Sequence, residues 1–596
     1  MKRKNVALLA ASSLLTTLLA LSLAVADQGF PMFVSYFSMP LVLLMNWLPV
    51  FLLLALFFLL FGRLWLALLL TGAPVLALAL VNYYKLTLRN DPLLFADLTL
   101  IHEAAGMTGR YTLALTLPVA LALLAFAALV ALAALRLKGR PALQNKNRAL
   151  GAAVCAAGLA VYALALCPSQ FLYEHTDNYR LVSEWSPTGG YVCRGLIYPF
   201  LHSAKDAFPA PPEGYDPAEA AAALAQYPEE EIPQDRKVDV IAVMLEAFSD
   251  FSKFGLDFEA DPYAPFHALE RESHHGELVV NVFAGETVNT ERAFLTGSLD
   301  PVESFRQPVD SFVWYLRSQG YTCEGGHPGY NWFYNRLNVN EYLGFQRYCF
   351  YEDRYHALAK PGQVADDDAF LPAVLADYRE AAREDAPYFS FSVTYQNHGP
   401  YFTDVRYERP WLAWKDGYNE KEYNIANNYL DGVAKTCRQL ALLADGLRRE
   451  ERPVVLVLFG DHDPWWGDGN STYRMFGVDL DQHTEEGFFN YYCTPYLIWG
   501  NDAARALLGD PFTGDGGRMG PYFLMGRLFS LCGWTGPAWM QALRGLEETV
   551  PFVNRARYQE GNTLTGIEKD NEPEWLVAFK RLEYYVMHSA PAYSGG

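Results

Sequence analysis

Residues Val454–Pro464 read VVLVLFGDHDP. The first six are apolar without a polar interruption, so the segment has no solvent face and reads as a central strand buried on both sides. The run ends at Gly460, and Asp461 and His462 follow at once. Three other runs share this form. Val238–Leu245 delivers Glu246, Leu278–Phe283 delivers Gly285-Glu286-Thr287, and Tyr388–Thr394 delivers Gln396-Asn397-His398. Helical candidates at Ala369–Arg379 and Ile425–Arg448 separate them. Continuous apolar strands alternating with helices predict an α/β layered domain with a largely parallel central sheet. Ligands of such sheets bind beyond the carboxyl ends of the strands.

Each strand-end residue alone says little, because a lone glutamate is usually solvated and a lone threonine usually belongs to a turn. Four arriving at one edge of one sheet suit metal-assisted transfer at phosphorus or sulfur. Glu246, Asp461 and His462 offer two carboxylates and an imidazole, a hard-to-borderline set for a divalent cation, Mn²⁺ first, with Mg²⁺ or Zn²⁺ as alternatives. A threonine hydroxyl attacks at neutral pH only when activated, and coordination to a dication supplies that activation. His398 is placed to protonate a leaving oxygen or to bind a phosphoryl oxygen.

Upstream, the composition changes. Val6–Ala26, Met32–Gly62, Leu64–Tyr84, Tyr111–Leu135 and Ala149–Tyr173 are apolar stretches of at least 21 residues, and a bilayer-spanning helix needs roughly 20. A signal peptide would account for the first but not for the other four. Lys2, Arg3, Lys4, Arg63, Arg136, Lys138, Arg140, Lys146 and Arg148 fall on one side of such a bundle, and Lys85, Arg89 and Arg110 on the other. The bias predicts a cytoplasmic N-terminus and, after five spans, an extracytoplasmic C-terminal portion.

Charge divides at the same boundary. Residues 1–173 carry 12 Lys and Arg against 4 Asp and Glu, which leaves 35 against 63, a net −28, on residues 174–596. That field excludes general nucleic-acid binding. The cysteines show no CxxC pair, so a zinc ribbon has no basis and buried free thiols are expected. The predicted organisation is a transmembrane domain over 1–173, a connecting arm over 174–236, a catalytic domain over 237–550 and a C-terminal extension over 551–596.

These features together resemble the lipoteichoic acid synthases and their phosphoglycerol transferase relatives in the alkaline-phosphatase/sulfatase superfamily. The resemblance runs through NYYKLTLRNDPLLFADL (82–98), PPEGY (211–215), VMLEAF (243–248), GETVNTERAF (285–294), HPGYNWFYNR (327–336), NHGPY (397–401) and FGDHDP (459–464). It implies a membrane bundle carrying an extracytoplasmic sulfatase-like domain. Thr287 would be the nucleophile, with Glu246, Asp461 and His462 as its fellow metal ligands. His327, Tyr334, Arg336 and His398 would bind the phosphate and headgroup. Tyr334 stands where better-known members carry Trp, and Gly329 where they carry an acidic residue.

The implied reaction moves glycerophosphate from phosphatidylglycerol, through Thr287, to a glycolipid or a polyglycerol-phosphate chain, as in lipoteichoic acid synthesis at the cell membrane. Formylglycine sulfatases are disfavoured, because no C/S-x-P-x-R motif is present. The rival enzyme is a phosphoethanolamine transferase acting on an envelope glycolipid, whose usual dense disulfide framework this cysteine pattern lacks. A non-catalytic envelope binding protein is the alternative of another class, and the intact Glu/Thr/Asp/His set argues against it.

Overall fold

The computed structural model describes residues 3–25, 29–89, 91–100, 114–135, 145–176, 178–182, 187–207, 210–302, 305–568, 571–589 and 592–593. It divides into two units: Met1–Ala210 with Trp332–Asn338, and Pro211–Asn331 with Val339–Gly596.

In the first unit five helices are long and apolar enough to cross a membrane. They are α1 (Arg3–Ala24), α2 (Pro40–Phe61), α3 (Leu64–Arg89), α4 (Leu117–Leu135) and α5 (Asn145–Val161), the last continued by a π-helical turn to Leu166. Leu124, Leu135 and Leu164 are 67%, 71% and 80% exposed. Apolar surface of that extent suits lipid rather than water. The second span was expected from Met32 but starts at Pro40. Gly29–Ser35 forms a separate short helix and Tyr36–Ser38 a 3₁₀ turn, and Pro40 opens α2, where its missing N–H would be unpaired in any case. Gly62 ends α2 at φ 71°, a left-handed conformation that glycine adopts without steric penalty, and α3 starts two residues later. Lys2, Arg110, Arg136, Lys138 and Arg140, on which the expected orientation partly rests, lie outside the described residues.

Part of the expected arm folds within this unit. Asn46, buried inside α2, accepts from the backbone N–H groups of Leu196, Ile197 and Tyr198 at 2.9–3.2 Å and donates to Arg194 O at 2.8 Å. These amides open helix α6 (Ile197–His202), so one side chain satisfies N–H groups that a helix start leaves without partners.

The second unit is built on an eight-stranded sheet. Its strands are β1 (Asp239–Leu245), β2 (His274–Val279), β3 (Thr322–Gly326), β4 (Arg347–Cys349), β5 (Tyr388–Val393), β6 (Val454–Gly460), β7 (Cys493–Gly500) and β8 (Gly514–Met519), in spatial order β4-β3-β5-β1-β6-β7-β2-β8. Every pairing is parallel except the two made by β7. Successive strand residues face opposite sides. Val240, Ala242 and Met244 of β1 therefore enter one core, and Ile241, Val243 and Leu245 the other. Burying each Val, Leu or Ile of such a strand is worth ~1.5–3 kcal/mol.

The run expected over Leu278–Phe283 is displaced: β2 covers His274–Val279. Its partner β7 begins at Cys493, opposite Val279. Beyond that point the neighbouring chain is helix, so Val280–Phe283 leaves the ladder toward the turn before Thr287. Both predicted helices are present and longer, at Asp367–Ala381 and Glu420–Arg448, the second capped by Asn419. The eight cysteines are free. Past Pro551 the chain adds a small antiparallel sheet and the helix Glu574–His588, whose Leu576 is buried in the core.

Candidate metal centre and nucleophile

β1 and β6 lie side by side in parallel, with Leu245 opposite Gly460. The next residues of both strands therefore emerge together, Glu246 from one and Asp461-His462 from the other. Thr287 arrives from a third direction as the first residue of helix α7 (Thr287–Thr296). Ligand atoms of Glu246, Asp461 and His462 all lie within 4.8 Å of one another, and all three residues are buried. Thr287 Oγ1 is 3.3 Å from Glu246 Oε2, to which it donates, and 3.3 Å from His462 Nε2. The four residues chosen from the sequence thus converge on one point.

The surroundings hold them in place. Thr394 Oγ1 accepts from the Glu246 N–H, and Thr290 Oγ1 donates to Asp461 O. Asp461 Oδ1 accepts from the N–H groups of Ala247 and His462, both at 2.7 Å. Its Oδ2 has no hydrogen-bond partner among the described residues, and His462 Nε2 stands 3.2 Å away. Burial pushes the Asp461 carboxyl up to about 7 and the His462 imidazole down. Burying a carboxylate without full compensation is costly, and a divalent cation between these atoms would compensate it. The donor set, the spacing and the orphaned Asp461 Oδ2 therefore fit a divalent metal. Thr287 also opens α7, whose N-terminal dipole end favours an anion.

His327 follows β3, is 1% exposed and has Nδ1 3.1 Å from Val393 O at the end of β5. Tyr395 links it to His398: the His327 and Tyr395 rings are 5.9 Å apart, and Tyr395 stacks on His398 at 4.9 Å and 2°. His398 is exposed, with Nδ1 2.6 Å from Gly399 O. Tyr334 and Arg336 are buried in the first unit, the guanidinium 5.5 Å from the Tyr334 ring centroid.

Two features were not read from the sequence. Asp463 is fully buried with neither carboxylate oxygen hydrogen-bonded among the described residues, and burial raises it to about 6. Its signal was the third polar residue of Asp461-His462-Asp463 directly after a strand. The second is backbone strain: Ala247, Ala284 and Glu286 adopt φ of 46°, 57° and 58°. Non-glycine residues pay to sit there, and such positions cluster at functional sites. No glycine marks them, so only the folded chain reveals them.

The sequence model of the sulfatase family matches residues 239–519. A Rhizobium meliloti (strain 1021) protein named for cyclic beta-1,2-glucan modification is 28% identical over 342 residues, covering 54% of this chain and 52% of that protein. The capsular polysaccharide biosynthesis protein RkpI of the same organism is 27% identical over 241 residues, covering 38% and 41%. The chain thus spans about half the length, or less, of these curated relatives. Among solved structures, the Streptococcus pyogenes phosphoglycerol transferase GacH in complex with sn-glycerol-1-phosphate gives a TM-score of 0.47 at 17% identity, covering 63% of this chain and 95% of that one. Residues 239–519, which contain Glu246, Thr287, Asp461 and His462, thus form a sulfatase-like α/β domain.

Proposed function

We infer that the protein is a metal-dependent phosphoglycerol transferase of the cell membrane, with its catalytic domain outside the cytoplasm. The observation that carries this reading is the meeting of Thr287 with Glu246, Asp461 and His462 at the first turn of α7. The donor is phosphatidylglycerol and the acceptor a hydroxyl of a glycolipid or a glycerol-phosphate chain. The names of the two Rhizobium relatives add a glycan to that range.

Glu246, Asp461, His462 and Thr287 would hold the cation, Mn²⁺ before Mg²⁺ or Zn²⁺. When bound, it would lower the pKa of the threonine hydroxyl and offset charge developing on the phosphoryl oxygens. Thr287 Oγ1 attacks phosphorus, its proton passing toward Glu246 Oε2, the atom to which it already donates. The bond from phosphorus to the diacylglycerol oxygen breaks, and His398 protonates that oxygen. A glycerophosphoryl ester on Thr287 results. The acceptor hydroxyl then attacks phosphorus and gives its proton to His398, while Thr287 leaves and regains a proton from Glu246. The N-terminal dipole end of α7 favours the anionic phosphoryl group throughout. His327, Tyr334 and Arg336 would orient the phosphate and headgroup.

Purified full-length protein with Mn²⁺ should release diacylglycerol from phosphatidylglycerol vesicles, and Thr287→Ala should not. Release from phosphatidylethanolamine vesicles alone would transfer the reading to a phosphoethanolamine transferase.

A further inference from the structure

Ala284, Gly285 and Glu286 give the turn before Thr287 three successive positive φ values, 57°, 154° and 58°. Two of these residues are not glycine, so the turn does not hold its shape by local preference and needs support from the surrounding fold. Some of that support is close by. The Ala284 N–H donates to Asp463 O at 3.0 Å, and the Asn289 N–H donates to Glu286 O at 2.8 Å. The Glu286 carboxylate does not cap the helix it precedes. It accepts instead from Arg555 Nη1 at 3.1 Å.

Arg555 lies outside residues 239–519, the segment that the sulfatase model matches. It sits in the turn of a hairpin between Phe552–Val553 and Arg557–Glu560. That hairpin is anchored, because Phe552 is buried in one cluster with Val279, Phe488 and Cys493. Asn554 Nδ2 also donates to Val280 O at 2.6 Å, and the Arg555 N–H to Asn281 Oδ1 at 3.2 Å. The same guanidinium holds Asp300, with Nε 3.1 Å from both carboxylate oxygens and Nη2 3.0 Å from Oδ1. Asp300 accepts from Asn289 Nδ2 of α7 at 2.9 Å, and Asn281 Nδ2 is 3.3 Å from Asn289 Oδ1. One side chain therefore ties the residue before Thr287, and the chain that returns after α7, to a hairpin seated in the core.

The side chains of Glu286, Asp300 and Arg555 are exposed, and exposed ion pairs contribute little to global stability. The consequence here is local. These pairs act on a strained turn whose next residue is Thr287, and a misplacement of about 1 Å in a reacting group can cost ~10²-fold in rate. Arginine suits the task, since its planar fork serves two carboxylates at once where lysine is a point charge. We propose that Arg555 is a positioning residue for the transfer: it holds the Ala284–Glu286 turn so that Thr287 Oγ1 stays beside Glu246 and His462. This rests on the reading of Thr287 as the nucleophile and adds a residue of the C-terminal segment to it.

The test uses the full-length, Mn²⁺-loaded protein in detergent micelles, as unsubstituted, Arg555→Met, Arg555→Lys and Glu286→Gln forms. In diacylglycerol release from phosphatidylglycerol, Arg555→Met should lower kcat about ten-fold, the scale of two exposed ion pairs acting together, with KM within two-fold. Arg555→Lys should recover part of the loss. Glu286→Gln combined with Arg555→Met should be no slower than Arg555→Met alone, because both changes break one link. Hydrogen exchange should quicken about ten-fold over residues 283–290 in Arg555→Met and stay unchanged over β1. A rise in KM in place of the fall in kcat would make Arg555 a substrate contact and overturn the positioning role. So would additive losses in the double variant, or exchange that is unchanged over 283–290 or quickened equally over β1. Failure of the transfer reading shows separately, as no diacylglycerol release by the unsubstituted protein, and the exchange measurement still judges the turn.

Discussion

Two buried polar residues, one in each unit, contrast in a useful way. Asn46 sits inside an apolar span, and both ends of its amide are used: three backbone N–H groups on one side and two carbonyls on the other. Asp461 sits at the end of an equally apolar strand, and among the described residues its Oδ2 has no hydrogen-bond partner. Buried polar groups are normally satisfied, so each exception asks for an explanation. The satisfied residue holds a helix start in place, and the other is one of the proposed metal ligands. Asn46 thus serves architecture, whereas Asp461 stands with Glu246, His462 and Thr287 at one edge of the sheet.

The largest effect should come from that edge. Thr287→Ala should reduce transfer by roughly 10⁴-fold or more, since a nucleophile is removed outright, while bound metal stays within two-fold by elemental analysis. Transfer at the unsubstituted rate would remove Thr287 from the reaction. Asp461→Ala should cost more than the ~10–100-fold in metal affinity typical of outer-shell partners, and activity should fall with it. In a structure of the Mn²⁺-loaded protein, anomalous density should lie about 2.0–2.3 Å from Glu246, Asp461 and His462. Metal retained at full affinity by the variant would dissolve the contrast with Asn46.

A smaller effect is expected in the membrane unit. Asn46→Leu leaves the N–H groups of Leu196, Ile197 and Tyr198 without their acceptor, a loss of about 1–3 kcal/mol. Thermal unfolding in detergent should show a lower midpoint. An unchanged midpoint would mean that Asn46 is as dispensable as its apolar neighbours.

The smallest effect concerns pH. Asp367, at the start of the helix Asp367–Ala381, is fully buried, accepts from Thr436 and is pushed up to about 7 by burial. Its folded value lies above its unfolded one, so between pH ~4 and 7 the folded state binds more protons and stability falls as pH rises. Asp367→Asn should flatten that part of the stability-versus-pH curve. Curves of the same slope for both proteins would show that Asp367 does not contribute.

Much of this was legible in the sequence because it depends on runs of residues. Length and absence of charge expose a span, and an apolar run followed by Asp-His exposes a buried strand with a polar end. What escaped depends on pairing and backbone angle. The end of β2 at Val279 is set by where β7 begins, some 200 residues away, and Val280–Phe283 is as apolar as a strand. The left-handed Ala247, Ala284 and Glu286 carry no glycine to announce them. Asn46 was visible as the single amide in a charge-free span, but its use depends on a segment about 150 residues downstream. Residues Glu174–Arg236 therefore read as a plain connector, although the chain up to Ala210 belongs to the first unit.

The central claim is that Thr287, held among Glu246, Asp461 and His462, carries the transferred group. Peptide mass spectrometry of the protein taken from its native membrane tests it most directly. The account predicts a glycerophosphoryl ester on Thr287 that disappears when an acceptor is supplied. An unmodified Thr287 alongside active transfer, or the group carried on another residue, would contradict it.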